Sequence, residues 1–524
     1  MIIATSDLMR NEQMAFDSIL FPMASDRTRS EIAQAQDFFG DLQLDRIVRS
    51  IIADKDEYDL EPFFRTPLHD TDSIAYRHEV MRDLENPSVH DRLTSFEEGM
   101  RTMRGHLARA GKLRYPYQKD RWFLQAVDGY CDALTHLARN LAETAMTSRG
   151  LLAFRDYVHA YVASDAFVSL DAEAKRLAAL LATVRYSILI CDDGFRVAGY
   201  EPAPDYGADI EETFAKFAQG TVKDYAVTFA ENPEMNSIEE KVLEFVARLE
   251  PDIFCGLHAF ATDNATFVDS VVATFDREVQ FYFASLAYIS KFERAGLPMC
   301  YPEVTDTDKA ISSRDGFDLA LADKLIDEHS RVVCNDFFLE QRERVLVVSG
   351  PNQGGKTTFA RAFGQMHYLA SLGCQVSGRQ ARLFLFDRIF THFERPEDVT
   401  TLRGKLEDDL IRMRDILDQA TPKSIVIMNE IFTSTTLSDA IWLGMQILER
   451  VIATDMLCVC VTFLDELASL GEQTVSIVAG VVTGDGSSRT FEMTRRPADG
   501  LCYAVSIAKK YRLTYECLIE RIPT

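Results

Sequence analysis

A glycine-rich loop near residue 350 carries the clearest chemistry. It follows the apolar run Val345–Val348 and completes the pattern G-x-x-x-x-G-K-[ST]. In such a loop glycines turn backbone N–H groups toward phosphate oxygens, the lysine reaches the β- and γ-phosphates, and the next hydroxyl faces Mg²⁺. A nucleoside triphosphate site is therefore predicted, with binding residues Gly350, Pro351, Asn352, Gln353, Gly354, Gly355, Lys356, Thr357 and Thr358.

A second run, Ser424–Glu430, ends in polar residues as a phosphate-site strand should. Such a strand supplies one group that holds Mg²⁺ through water and one that polarises the attacking water. Glu430 suits the second role, and we predict it to be catalytic together with Lys356. Asn429 stands at the metal-holding position, where its amide oxygen brings no negative charge. The predicted metal residues are Thr357, Asn429 and Glu430.

The elements that position these residues follow residue 310, where short apolar strands alternate with helices. The helix after the loop is predicted from Lys356 to about Leu372, with Gly373 ending it. This alternation predicts an α/β domain with a mainly parallel sheet. The predicted strands are 345–349, 424–428, 457–462 and an antiparallel pair, 475–482 and 489–494.

From about residue 28 to 295 the sequence is mostly helical in character. Apolar residues between Phe267 and Ile289 recur at alternating spacings of three and four, which predicts one long packed helix. Shorter helices are predicted over 210–233 and 240–250. We expect a helical part over residues 1–300 and an α/β part over 301–524.

Composition bounds the class of protein. The 524 residues are 47% apolar and 26% charged, as in ordinary globular chains, and the ten cysteines contain no C-x-x-C pair. No apolar run approaches the roughly 18 residues of a membrane span, so a cytoplasmic protein without membrane contact is expected. The formal charge of −25 argues against indiscriminate coating of nucleic acid.

One basic stretch lies between Arg101 and Trp122, where the only acidic residue is Asp120. Two interpretations stay open: a solvated helix face followed by a loop, or a surface that contacts DNA. The cations are Arg101, Arg104, Arg109, Lys112, Arg114, Lys119 and Arg121.

Three runs considered together, Ser349–Thr358, Phe386–His392 and Ile427–Thr436, resemble the ATPase domain of the MutS family of DNA mismatch repair proteins. The likeness covers roughly residues 300–510. Upstream, Phe64–His78 is similar to the opening of the family's helical core and lever region, and Gly500–Ala508 resembles the segment that closes the ATPase core.

The resemblance implies an ABC-like ATPase that uses ATP and Mg²⁺, forms a homodimer and binds duplex or branched DNA. Arg331–Phe337 aligns with the family's base-contact stretch, and Asn335 is the predicted nucleotide contact there. The core-like signature begins by about residue 40, which leaves no room for the family's N-terminal mismatch-reading domain. Mismatch reading by that domain's wedge is therefore not expected.

In the family's dimers, a segment of the opposite subunit completes each nucleotide site. Thr400–Asp409 aligns with that segment, and Gly404 stands where the family offers a serine, between Arg403 and Lys405. Either cation could contact phosphate instead, or the segment could be only a surface loop. Asp439 keeps the carboxylate that follows the family's turn after the strand.

Three positions depart from the family's nucleotide site. Phe463 replaces a histidine that senses the γ-phosphate, and a phenylalanine ring cannot hydrogen-bond to phosphate. Val332 stands where an aromatic ring would help to stack adenine. Together with Asn429, Phe463 argues against fast hydrolysis and leaves triphosphate binding intact.

The leading hypothesis is a MutS-like, ATP-dependent DNA-binding protein in mismatch repair or related repair and recombination, whose nucleotide state gates a dimeric helical clamp. The alternative is a nucleotide-binding scaffold with negligible turnover whose helical half binds a protein partner. A small-molecule P-loop kinase is a third reading, and the sequence offers no acceptor lid for it.

Overall fold

The computed structural model describes residues 16–22, 38–191, 194–201, 213, 235–395, 404–481, 489–498 and 511–521. The chain divides into two compact units that are interleaved along the sequence: Met1–Phe16, Pro87–Ala145 and Ala153–Asp276 form one, and Asp17–Asn86, Met146–Leu152 and Arg277–Thr524 form the other. The linear division at residue 300 follows the change of sequence pattern and remains a prediction. The predictions for 214–233, 400–403 and 500–508 lie outside the described residues.

Most of the described residues before residue 295 are helical, as the sequence predicts. The α-helices are α1 (Phe38–Asp41), α2 (Leu44–Ile51), α3 (Glu61–Arg65), α4 (Thr71–Leu84), α5 (Pro87–Lys112), α6 (Pro116–Ala142), α7 (Arg149–Val162), α8 (Asp165–Thr183), α9 (Ser237–Leu249), α10 (Pro251–Asp263), α11 (Ser270–Arg294), α12 (Leu319–Asp327), α13 (Lys356–Ser371), α14 (Lys405–Gln419), α15 (Leu437–Ala453) and α16 (Tyr515–Arg521).

The strands are concentrated after residue 298, where the predicted α/β pattern begins. They are β1 (Tyr186–Cys191), β2 (Gly194–Gly199), β3 (Met299–Cys300), β4 (Glu303–Thr305), β5 (Ile311–Gly316), β6 (Asn335–Leu339), β7 (Val345–Ser349), β8 (Val376–Ser377), β9 (Gln380–Phe384), β10 (Ile389–Phe393), β11 (Ile425–Asn429), β12 (Leu457–Val461), β13 (Thr474–Val481) and β14 (Arg489–Arg495).

The first unit is built on the helices α5 and α6, which pack along each other. A Cβ atom on Gly99 would lie 2.8 Å from the Ala133 Cβ, so a glycine is needed where the two helices approach most closely. The antiparallel hairpin of β1 and β2 was not predicted. Its first strand contains the β-branched residues Ile188 and Ile190, which favour extended backbone. Ile190 is 88% exposed.

The long helix predicted over 267–289 is α11, and local capping explains its different bounds. The Asp269 carboxylate accepts hydrogen bonds from the N–H groups of Val271 and Val272, both at 3.0 Å, so the helix begins after it. At the other end Gly296 has a φ of +77°, which ends the helix as a residue in left-handed conformation does.

The second unit contains a six-stranded sheet in the order β10-β11-β12-β7-β13-β14. Its first five strands run parallel, and β14 pairs antiparallel with β13, as predicted. All residues of β7, β11 and β12 are buried, which is typical of parallel strands covered on both faces. The phosphate loop leaves the end of β7, in the middle of this sheet.

The helix α13 follows the loop and is buried along most of its length. Within the second unit it binds segments from the start of the chain: Gln365 Nε2 donates to the Leu42 carbonyl at 2.9 Å, and the Tyr368 hydroxyl donates to the Phe64 carbonyl at 2.9 Å. The Arg77 guanidinium donates to the carbonyl of Leu372, just after the helix, at 2.8 Å. Leu42, Phe64 and Arg77 therefore help to fix the helix that carries the loop.

The same unit contains a four-stranded sheet in the order β4-β9-β5-β6, and α12 follows β5 along the chain. Asp318 caps α12 by accepting from the N–H of Leu321 at 3.1 Å, and it also binds Arg361 of α13 at 2.8 Å. These contacts join α12 to the helix after the phosphate loop. In the described part of the chain, no helix combines the length and apolar character needed to cross a membrane.

Candidate nucleotide site

The loop between β7 and α13 turns at two glycines that have left-handed backbone conformations. Gly350 and Gly355 have φ values of +121° and +91°, in the left-handed region that other residues rarely adopt. A Cβ atom on Gly350 would also lie 3.0 Å from the backbone nitrogen of Ala479. The predicted phosphate loop is therefore held tightly between its strand, its helix and the neighbouring strand β13.

Lys356 is buried at the first turn of α13, and its ammonium faces back into the loop. Its Nζ donates to the carbonyls of Gly350 and Pro351, both at 3.1 Å, and lies 4.1 Å from the centroid of the Phe463 ring. Burial lowers the pKa of this ammonium; the Glu430 carboxylate opposes that shift, and the Arg489 guanidinium adds to it. The Lys356 ammonium is thus positioned to bind an anion at the loop.

The predicted metal residues lie at adjacent strand and helix ends. The Thr357 hydroxyl donates to the Asn429 Oδ1 at 2.8 Å, which joins the start of α13 to the end of β11. Glu430 follows directly, with a φ of +56° and its N–H donating to the Val461 carbonyl at 2.8 Å. This left-handed conformation is uncommon for glutamate and turns the chain sharply at the end of the strand.

A cavity of about 480 Å³ opens against the loop, within the usual range for small-molecule sites. Glu430 and loop residues 353–358 form part of its lining. Most of the other lining residues are apolar, and an apolar side of a cavity suits a nucleobase. These apolar residues include Phe317, Leu321, Leu325, Val332, Val333, Phe337, Ala362 and Met366.

The predicted binding residues divide into two groups. Gln353, Gly354, Gly355, Lys356, Thr357 and Thr358 line the cavity. Gly350 and Pro351 instead receive the Lys356 ammonium through their carbonyls, and the Asn352 carbonyl accepts from Arg489 Nε at 3.2 Å. These three residues shape the loop without lining the cavity.

Asn335 lines the cavity, but its amide is engaged elsewhere. Its Nδ2 donates to the Phe491 carbonyl at 3.1 Å and its Oδ1 accepts from the Met493 N–H at 2.6 Å, which ties β6 to β14. Two aromatic residues that the sequence reasoning missed, Phe337 and Phe491, line the same cavity. Phe491 has a φ of +61°, which no local sequence signal indicates.

Two further predicted positions contact the turn that follows Glu430 and do not line the cavity. Lys405, at the start of α14, contacts Glu394 and lies 3.4 Å from the Thr433 hydroxyl. Asp439 accepts from the Thr436 hydroxyl at 2.8 Å at the start of α15, so its carboxylate stabilises the turn after Glu430. Arg403 lies outside the described residues.

Protein side chains alone do not form a closed Mg²⁺ site here, and Thr357, Asn429 and Glu430 remain the predicted metal residues. This ion prefers carboxylates and phosphates, and the position next to Thr357 is an amide whose oxygen already accepts from that hydroxyl. Across the described ranges, no group of three or more His, Cys, Asp or Glu side chains could hold a metal ion.

Comparison with known families agrees with this geometry. The family model for MutS domain V matches residues 346–516, which include the phosphate loop, β11 with Glu430, and β14. Residues 346–516 belong to the MutS domain V family. MutS domain V is an ABC-like ATPase domain, so the predicted family and the predicted fold class are confirmed.

Curated proteins to which this chain is similar are named DNA mismatch repair protein MutS. The protein of Clostridioides difficile is 27% identical over 335 residues, which are 60% of this chain and 34% of the relative. The protein of Fervidobacterium nodosum is 27% identical over 248 residues, which are 46% of this chain and 28% of the relative. The protein of Thermotoga neapolitana is 32% identical over 171 residues, which are 32% of this chain and 21% of the relative. The matched regions thus span about a fifth to a third of these relatives.

Proposed function

We propose that this chain is an ATP-dependent switch of the MutS type, in which the bound nucleotide changes the affinity of a dimeric helical clamp for DNA. The observation that carries the proposal is the convergence of Lys356, Thr357 and Glu430 on one cavity. Lys356 and Thr357 begin α13 after β7, whereas Glu430 follows β11 of the same sheet, and together they suit a triphosphate.

The shape of the cavity supports ATP as the ligand. The triphosphate would lie against the N–H groups of loop residues 353–358, and the Lys356 ammonium would exchange its two carbonyl partners for phosphate oxygens. The base would enter the apolar side, near Val332 and Phe337. Glu430 would orient the attacking water, which makes it the proposed catalytic residue with Lys356.

The helical unit supports DNA as the partner. Around the turn between α5 and α6, Arg109, Lys112 and Arg114 are exposed, as are Lys119 and Arg121 on α6. The Arg109 guanidinium stacks on the Trp122 ring at 4.4 Å, which holds part of this cationic surface in place. Such a surface would contact DNA phosphates without reading bases.

The ATPase unit supports a homodimer. Trp442 and Leu437 on α15 are 62% and 66% exposed, close in sequence to the Glu430 turn. Large apolar side chains exposed beside a catalytic turn suit a protein interface, where tryptophan is enriched. A second copy meeting this face would bring its own Gly404 segment to the nucleotide.

The test is ATP hydrolysis by the full chain, Lys356→Ala and Glu430→Gln, with and without duplex, mismatched and branched DNA. Lys423→Ala, a change at an exposed lysine on another surface, is the matched control. We expect a DNA-stimulated rate that both site variants lose and the control keeps. DNA affinity measured without nucleotide, with ADP and with ATP should differ; equal affinities would refute the switch.

A second candidate is a nucleotide-binding scaffold with negligible turnover. The contact between the Thr357 hydroxyl and the Asn429 amide, in place of a carboxylate, favours it. Its signature would be Lys356-dependent ATP binding with a background rate on every DNA. The helical unit would then bind a protein partner.

A further inference from the structure

Among the described residues that line the nucleotide cavity, Phe491 of β14 carries an exposed aromatic ring. It is 47% exposed, whereas the other aromatic residues of this lining are at most 5% exposed. Those residues, Phe317, Phe337 and Phe359, belong to the core. The Phe337 ring, for example, lies 6.1 Å from the Phe359 ring and 5.1 Å from the Phe363 ring. Phe491 is therefore the aromatic side chain of the lining that a ligand can contact most fully.

The backbone around Phe491 forms a bulge in the pairing of β14 with β13. The register of the two strands shifts at this point, so residues 490–492 lie opposite Gly480 alone. A Cβ atom on Gly480 would collide with the Thr490 hydroxyl, so a glycine is needed opposite the bulge. Bulges bend a strand and redirect a side chain, and they are common beside active sites. Here the bulge is what places Phe491 at the cavity.

Phe491 itself has an uncommon left-handed backbone conformation, with a φ of +61°. For a bulky residue this conformation is unfavourable, and it persists where surrounding contacts hold it. Asn335 supplies such contacts: its Nδ2 donates to the Phe491 carbonyl at 3.1 Å, and its Oδ1 accepts from the Met493 N–H at 2.6 Å. The Asn335 amide thus uses its nitrogen and its oxygen to fix the bulge. An outlier held in this way beside a cavity suggests a function for the residue that carries it.

The Phe491 ring also lies against the phosphate loop. A Cβ atom on Gly355 would be 3.6 Å from the Phe491 Cδ1, an ordinary van der Waals contact, so the ring is beside the Gly355 backbone. Gly355 directly precedes Lys356, and Val332 lines the same cavity without offering a ring. A nucleotide whose phosphates lie along this loop would bring its base within reach of Phe491. The π-face of a nucleobase stacks favourably on an aromatic side chain.

We propose that Phe491 binds the nucleobase by stacking, and that Asn335 is a positioning residue that acts on the nucleotide by holding Phe491. The proposal rests on the proposed nucleotide-binding function of the same cavity. The contact with nucleotide that the sequence predicts for Asn335 then becomes an indirect one.

The test is calorimetric binding of two ligands, ATP and inorganic tripolyphosphate, to the full chain and its variants. Tripolyphosphate carries the phosphates without a base. Phe491→Leu should raise the Kd for ATP by about threefold to thirtyfold, because an alkyl side chain keeps apolar contact and loses stacking. Asn335→Ala should have a similar effect, because it releases the bulge. Both variants should bind tripolyphosphate within about twofold of the native chain.

The double variant tests whether the two residues act together. If Asn335 acts through Phe491, Phe491→Leu combined with Asn335→Ala should bind ATP about as well as the weaker single variant, because coupled residues are not additive. Independent contacts would instead multiply the two losses. Thermal unfolding of each sample shows that the variants are folded.

Two controls separate the ring from its neighbourhood. Phe491→Tyr keeps an aromatic face and should bind ATP within about twofold of the native chain. Phe338→Leu removes another exposed phenylalanine, 39% exposed on β6, whose ring lies 4.3 Å from the Arg495 guanidinium. Among the described residues, Phe338 is not part of the cavity lining, so this variant should bind ATP as the native chain does.

Three outcomes would overturn the proposal. Equal losses of ATP and tripolyphosphate binding in Phe491→Leu would mean that the ring supports the loop and not the base. Multiplied losses in the double variant would give Asn335 a contact of its own. Native ATP affinity in Phe491→Leu would remove the role of the ring and leave the nucleotide function standing, whereas a native chain that binds neither ligand would refute that function itself.

Discussion

Gly354 is the loop position at which a single added methyl group should separate nucleotide binding from folding. A Cβ atom there would lie 2.9 Å from the Pro351 carbonyl oxygen and 3.1 Å from the Ala479 Cβ. To reach an ordinary contact of 3.4 Å, the carbonyl must retreat by about 0.5 Å. That carbonyl also accepts the Gly354 N–H and one Lys356 hydrogen bond, so the whole loop must move with it.

The cost of Gly354→Ala follows from this displacement. Overpacking of this kind costs about 1 to 3 kcal/mol of folding free energy, which the unit can tolerate. Loop N–H groups that miss phosphate oxygens by half an ångström lose one or two charge-assisted hydrogen bonds, each worth roughly 1.5 to 3 kcal/mol. We therefore expect Kd for ATP to rise by about tenfold to several hundredfold while the chain stays folded.

The assay is calorimetric ATP titration, with thermal unfolding of the same samples. Gly129→Ala is the matched control, because a Cβ atom at this position within α6 meets nothing within 4 Å. It should leave Kd unchanged and stabilise the helix by about 0.5 to 1 kcal/mol. If Gly354→Ala bound ATP as tightly as the native chain, the loop would not be the phosphate site.

Two further predictions concern stability and assembly. Arg77→Met should lower the free energy of unfolding in urea by about 2 to 5 kcal/mol, because the Leu20 and Leu372 carbonyls lose this buried donor. In the native chain the two hydrogen bonds measure 3.0 and 2.8 Å. A change below about 0.5 kcal/mol would contradict this role. Trp442→Glu should weaken ATP-dependent dimerisation by about 2 kcal/mol or more in light-scattering titrations, and unchanged association would exclude α15 as the interface.

The sequence predicted the parts of the fold that depend on local pattern. The fully apolar runs at β7, β11 and β12 identify buried parallel strands, and Gly373 correctly ends α13 because its φ is +69°. The phosphate loop needs each of its residue types at a fixed spacing, so the sequence alone was enough to recognise it.

What escaped prediction depends on contacts between distant segments. Arg489 and Phe491 reach the loop only because β14 pairs with β13, and nothing in their immediate sequence marks them. Asn335, predicted as a nucleotide contact, lines the cavity, and the sequence did not show that its amide also binds the backbone of β14, 156 and 158 residues away. The β1 and β2 hairpin was missed because its strands are short and largely exposed, which removes the alternation that marks a half-buried strand.

The contacts of Leu42, Phe64 and Arg77 with α13 and the residue after it have a consequence for how the chain is made. Leu42, Phe64 and Arg77 meet their partners 323, 304 and 295 residues later in the sequence. At about 5 to 20 residues per second, a ribosome needs roughly 15 to 60 seconds to supply those partners. During that interval these three residues lack their partners in and beside α13, so this unit completes late in synthesis and should depend on chaperones that shield nascent chains.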